Sequence, residues 1–81
     1  MTRDEVMDLV REHLVTELEL KPEEITPEAR FKDDFDADSL DLYELVMELE
    51  DRYGISVSEK EASEIVTVKD AVDFVLAKAG S

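Results

Sequence analysis

Four candidate helix starts along this chain pair a Thr, Ser or Asp with an acid three residues later. The pairs are Thr2–Glu5, Asp38–Asp41, Ser58–Glu61 and Thr67–Asp70, and each precedes apolar residues at helical spacing or a short apolar turn. The first side chain of such a pair can accept a hydrogen bond from a free N–H of the first helical turn. The acid can reach back to the amide of the capping residue. One pair is a weak signal, but four predict four helical segments in a chain of 81 residues.

Apolar spacing sets the expected bounds. Helix one reads Arg3 to Leu18, with Val6, Val10, Leu14 and Leu18 inward and Met7 and Leu9 flanking. Helix two reads Ser39 to Tyr53, with Leu42, Leu45, Val46, Leu49 and Tyr53 as its buried stripe and Gly54 as its C-cap. A short helix three covers roughly Glu59 to Glu64 and turns Ala62 and Ile65 inward. Helix four covers Val68 to Lys78 through Val68, Ala71, Val72, Val75 and Leu76.

The stretch from Glu19 to Asp38 contains both prolines, Pro22 and Pro27, so it cannot be one helix. Ile25, Ala29, Phe31 and Phe35 are its expected anchors in the core. A connection of about 20 residues needs a purpose, and crossing the length of a bundle is one. The β-branched pieces 55–57 and 65–68 are too short for a sheet and read as linkers. Gly80-Ser81 reads as a frayed tail. The expectation is an all-α protein: a small four-helix bundle with three longer helices, one short helix III and a long loop between helices I and II. It forms a single domain over residues 1–81.

Charge and missing residue types exclude several functions. The 23 acids against 9 Lys and Arg give a net charge of -14. That field repels nucleic-acid backbones and anionic lipid surfaces and attracts basic patches on proteins. The absence of cysteine removes disulfides, thiolate metal sites and thiol nucleophiles. No apolar run approaches the ~20 residues that span a bilayer. The N-terminal residues lack a signal-peptide core, so a cytoplasmic monomer is expected. The single histidine, His13, falls beside the inward stripe of helix one and reads as a surface or boundary residue. Nothing marks a base for Ser39, so catalysis is not expected.

The run Phe35-Asp36-Ala37-Asp38-Ser39-Leu40-Asp41 sits at the start of helix two. Serine in such a place is ordinarily a cap. Here Asp38 can cap, which puts Ser39 at the first helical position with its hydroxyl free. Pattern alone still favours a structural serine. Behind it, Leu40, Tyr43 and Met47 lie away from the buried stripe, interleaved with Asp41, Glu44, Glu48 and Asp51. This apolar strip bordered by carboxylates reads as an interaction face. Asp34, Asp36 and Asp38 also alternate like the start of an EF-hand loop. The sixth position is then Ser39 in place of glycine and the twelfth Leu45 in place of glutamate. The register fails, which leaves a divalent-cation-binding acidic helical protein as the alternative of a different class.

The segment from Asp34 to Ile65 resembles the acyl carrier protein family. The resemblance is carried by Ala37-Asp38-Ser39-Leu40-Asp41, Glu44-Leu45-Val46-Met47-Glu48-Leu49-Glu50, Glu61-Ala62 and Ile65. It implies a discrete bacterial carrier. Ser39 would bear 4'-phosphopantetheine, installed by a phosphopantetheinyl transferase from coenzyme A with magnesium. Asp38 would assist that transfer. The thiol of the group would hold acyl chains as thioesters, shuttled between fatty acid or polyketide synthase enzymes. Asp41, Glu44, Glu48 and Asp51 would dock on their basic patches, Leu40 and Met47 would insert at those contacts, and growing chains would slip between the helices. Asp36 stands where many members have glycine, Phe35 where leucine is usual, and Tyr43 is larger than the usual aliphatic residue. A peptidyl or D-alanyl carrier is the alternative within the family's neighbourhood. Those usually show fewer acids or a glycine-rich approach to the serine.

Overall fold

The computed structural model describes residues 2–79, so the expected frayed tail, Gly80-Ser81, lies outside the described residues. Among the described residues four α-helices follow one another: α1 (Arg3–Leu18), α2 (Ser39–Tyr53), α3 (Glu59–Ser63) and α4 (Val68–Ala79). The two longest have the bounds expected from the sequence. Helix α3 ends one residue earlier than expected, because the Glu64 amide turns to the carbonyls of Glu61 and Ala62. Helix α4 runs one residue further.

Each helix start uses the side chains that mark it. Thr2 Oγ1 accepts from the Glu5 amide at 3.2 Å. Ser58 and Glu61 form a reciprocal box at 3.0 and 3.1 Å. Thr67 and Asp70 do the same, with the Asp70 carboxylate accepting from the Thr67 and Val66 amides. The Asp70 carboxyl is held below its ordinary pKa chiefly by the Thr67 backbone N–H. The Glu61 carboxyl is also lowered, first by the Ser58 amide and then by Lys78. Helix α2 ends at Gly54, whose φ of +64° is the left-handed conformation that glycine adopts without strain.

Helices α1, α2 and α4 pack against one another, most extensively α1 on α4. Val6, Val10, Leu45, Val68, Val72 and Val75 fill the space between them with almost no exposure. Leu42 and Tyr53, expected inward, reach only the edge of this core.

The long connection holds one turn of 3₁₀ helix, Pro22–Glu24, which the sequence reading did not anticipate. Proline at the first position supplies the required φ and lacks only an N–H that would go unpaired. Ile25, Ala29, Phe31 and Phe35 are buried as expected. Phe31 and Phe35 meet edge to face, with ring centroids 6.2 Å apart. The connection is pinned to the α3–α4 linker through one bridge. The Phe31 amide donates to the Val66 carbonyl at 3.0 Å and the Val68 amide to the Ala29 carbonyl at 3.0 Å. The β-branched residues 65–68 therefore serve as a splint for the loop.

Candidate functional site

The loop delivers Ser39 to the surface through a short series of backbone bonds. Phe31 is fixed by burial, and its carbonyl accepts from the Ala37 amide at 2.9 Å. Ala37 is itself buried. Between them Asp34 turns back, its carboxylate accepting from the Arg30 amide at 2.7 Å. Asp36 must then adopt φ +54°, a left-handed conformation that few non-glycine residues accept. Glycine would take this conformation without strain, and Asp is among the other residues that tolerate it best.

Asp38 then caps α2. Its Oδ1 accepts from the Asp41 amide at 2.9 Å, and Asp41 Oδ2 accepts from the Asp38 amide at 3.1 Å. Asp38 thereby takes the duty that a serine would ordinarily perform. Ser39 is the first helical residue, it is exposed, and its hydroxyl makes no hydrogen bond among the described residues. The alternating acids of the EF-hand-like register are largely spent on backbone amides. Among the described residues, no group of three or more His, Cys, Asp or Glu is arranged to hold a metal ion.

The strip behind Ser39 faces solvent, with Leu40 64% and Met47 58% exposed. Glu44 and Asp51 are exposed beside it, while Asp41 and Glu48 are half-buried. Glu44, Met47, Glu48 and Asp51 border a broad open groove between α1 and α2, shared with His13, Glu17 and Arg52. His13 is a correction to the sequence reading. It is buried, and its Nδ1 lies 2.7 Å from Glu48 Oε2. A carboxylate only accepts, so the proton sits on Nδ1. No local signal in α1 could have announced a partner 35 residues away.

On the other side of Ser39 a cavity of about 120 Å³ lies between α2 and α3, lined by Lys32, Ser39, Leu42, Tyr43, Glu59 and Ala62 among others. The Tyr43 hydroxyl donates to Glu59 Oε1 at 3.0 Å, so the oversized side chain ties α2 to α3 beside the cavity. That bond to a carboxylate is the main cause holding the Tyr43 phenol above its ordinary pKa. An adjoining cavity of about 230 Å³ shares Lys32, Leu42 and Ser63 and reaches Phe31 and Ile65. Neither Lys32 nor Glu59 was singled out by the sequence reading.

A small acidic bundle that holds one serine free at a helix start has the architecture of a carrier domain. Residues 8–75 match the phosphopantetheine attachment site family. The chain is 45% identical over 76 residues to the acyl carrier protein of Rubrobacter xylanophilus, covering 94% of each chain. It is 39% identical over 75 residues to that of Thermosynechococcus vestitus, covering 93% of each. The solved structure of the acyl carrier protein from Enterococcus faecalis superposes with a TM-score of 0.83 at 36% identity, covering 96% of this chain and 99% of that one. The chain belongs to the acyl carrier protein family and carries phosphopantetheine, with acyl chains and synthase enzymes as the partners that membership implies. No helix among the described residues is long and apolar enough to cross a membrane.

Proposed function

We propose that Ser39 is the attachment residue, within one carrier domain formed by residues 1–81. The observation that supports this best is the division of labour at the start of α2. Asp38 satisfies the helix end, and Ser39 keeps an exposed hydroxyl with no competing hydrogen bond among the described residues. The serine oxygen forms the phosphodiester with the phosphopantetheinyl half of coenzyme A, and the nucleotide half leaves. When bound, the group supplies a thiol for thioester chemistry that this cysteine-free chain lacks. Among the described residues the Ser39 hydroxyl is hydrogen-bonded to no base, and the chain's one histidine is taken up by Glu48. A phosphopantetheinyl transferase must therefore supply the activation.

Successive enzymes dock on the outer face of α2. Leu40 and Met47 provide the apolar contacts and Asp41, Glu44 and Asp51 the charge, with Glu48 contributing what His13 leaves exposed. Exposed charge pairs of this kind are worth about 0–1 kcal/mol each, so they speed encounter without gripping. The cavities beside Leu42, between α2 and α3, give an acyl chain its first shelter. The protein acts as a non-catalytic, cytoplasmic carrier. Intact-mass measurement after incubation with coenzyme A, magnesium and a broad-specificity transferase tests the reading. The gain of one arm, abolished by Ser39→Ala, is expected. An unmodified chain beside a loaded control carrier would refute it.

A further inference from the structure

The loop that presents Ser39 is crowded with acids: Asp33, Asp34, Asp36 and Asp38 precede it and Asp41 follows. A phosphodiester on Ser39 adds a full negative charge to that cluster. Five like charges within nine residues repel it, unless a cation stands nearby. Among the residues lining the cavity at Ser39, the single cation is Lys32. Arg30, which reaches the adjoining cavity, is already paired with Asp33 at 3.3 Å. Glu59, the cavity's one acid, accepts from Tyr43. Lys32 makes no hydrogen bond or ion pair among the described residues.

Its placement is built in. Residue 32 follows Phe31, which is held by burial, by its amide bond to Val66 and by the Ala37 amide on its carbonyl. That last bond closes the loop two residues before Ser39, so the root of the lysine stays beside the serine. Four methylenes then carry an ammonium with three rotatable donors, which suits phosphate oxygens on a flexible ester.

The geometry points to Lys32 as a clasp for the phosphodiester of the group on Ser39, holding the root of the arm over the α2–α3 cavity. This rests on Ser39 as the attachment residue. The clasp is a binding role confined to this chain and needs no partner enzyme.

The test compares apo and loaded forms of the wild type, Lys32→Gln and Lys32→Glu by thermal melting at low salt, with intact mass read on each sample. The change in Tm on loading should be about 2–4 °C more favourable in the wild type than in Lys32→Gln, as expected for one exposed charge pair in a domain of this size. Lys32→Glu should be less favourable still, and about 0.5 M sodium chloride should erase the differences. If all three chains load and the Tm change on loading is the same in each, the clasp is overturned while the attachment stands. If the wild type does not load beside a loaded control, both fall.

Discussion

His13 on α1 and Glu48 on α2 form a hydrogen-bonded pair at 2.7 Å, the histidine buried and the carboxylate half-exposed. One of the acids on the proposed docking helix is thus tied to a neighbouring helix. Removing His13 leaves the inner carboxylate oxygen without its donor. Loss of a hydrogen bond to a charged group costs about 1.5–3 kcal/mol. His13→Ala and Glu48→Gln should each destabilise the fold, and the double variant should show a coupling of about 1 kcal/mol in denaturant unfolding. Additive effects would show that the pair holds nothing together.

Because Glu48 is engaged, the acids most available to a partner are Glu44 and Asp51. Glu44→Lys combined with Asp51→Lys should slow association with a phosphopantetheinyl transferase about tenfold and flatten its salt dependence. Stability should stay within about 0.5 kcal/mol, since both side chains are exposed. Stopped-flow association kinetics check this, and an unchanged on-rate would remove these acids from the docking face.

Among the described residues, two that are not glycine take the left-handed conformation, Asp36 at φ +54° and Glu19 at φ +55°. Glu19 ends α1, where glycine is the usual solution. Asp36→Gly and Glu19→Gly should each raise stability by about 0.5–1 kcal/mol, because relief of strain exceeds the added chain entropy. Asp36→Gly also removes one charge from the acidic loop. Gly54→Ala should do the opposite at about 1 kcal/mol. A methyl there would meet nothing within 4 Å, so the cost is conformational alone. Chemical denaturation of the three variants measures these signs.

The carboxyl of Asp70 is depressed in the folded state by the N–H groups of Thr67 and Val66. A depressed folded pKa means that this stabilisation is fully present above the unfolded value, about 3.9, and is lost as pH falls through the folded one. Wild type should exceed Asp70→Ala in stability at pH 7, and the gap should narrow below about pH 4. Glu61 titrates with the same sign through Ser58 and Lys78. Urea midpoints across pH 2.5–7 (an interval of about 4 to 5 units around these groups) follow the gap. A gap independent of pH would mean that the carboxylate charge contributes nothing to capping α4.

Helix starts were the most legible part of this chain, because a capping side chain and its acid are neighbours in sequence. Asp38 and Asp41 marked both the first residue of α2 and the freedom of Ser39. The anchors of the long connection were visible as isolated apolar residues. What the sequence hid were relations between distant segments: His13 with Glu48, Tyr43 with Glu59, and Lys32 beside Ser39. Each depends on how helices and loop pack, and no spacing rule encodes that. Asp36 was visible as a departure from the family pattern, but its reason, a positive φ, is a property of the folded loop.

Locating the arm tests the central claim most directly. The chain also contains Ser56, Ser58, Ser63 and Ser81, so intact mass alone does not name the residue. Fragment-ion mass spectrometry of the transferase-treated protein should find one phosphopantetheine on Ser39 and none on the other serines. An arm on Ser56, Ser58, Ser63 or Ser81, or a bare Ser39 beside a fully loaded control carrier, would contradict the account.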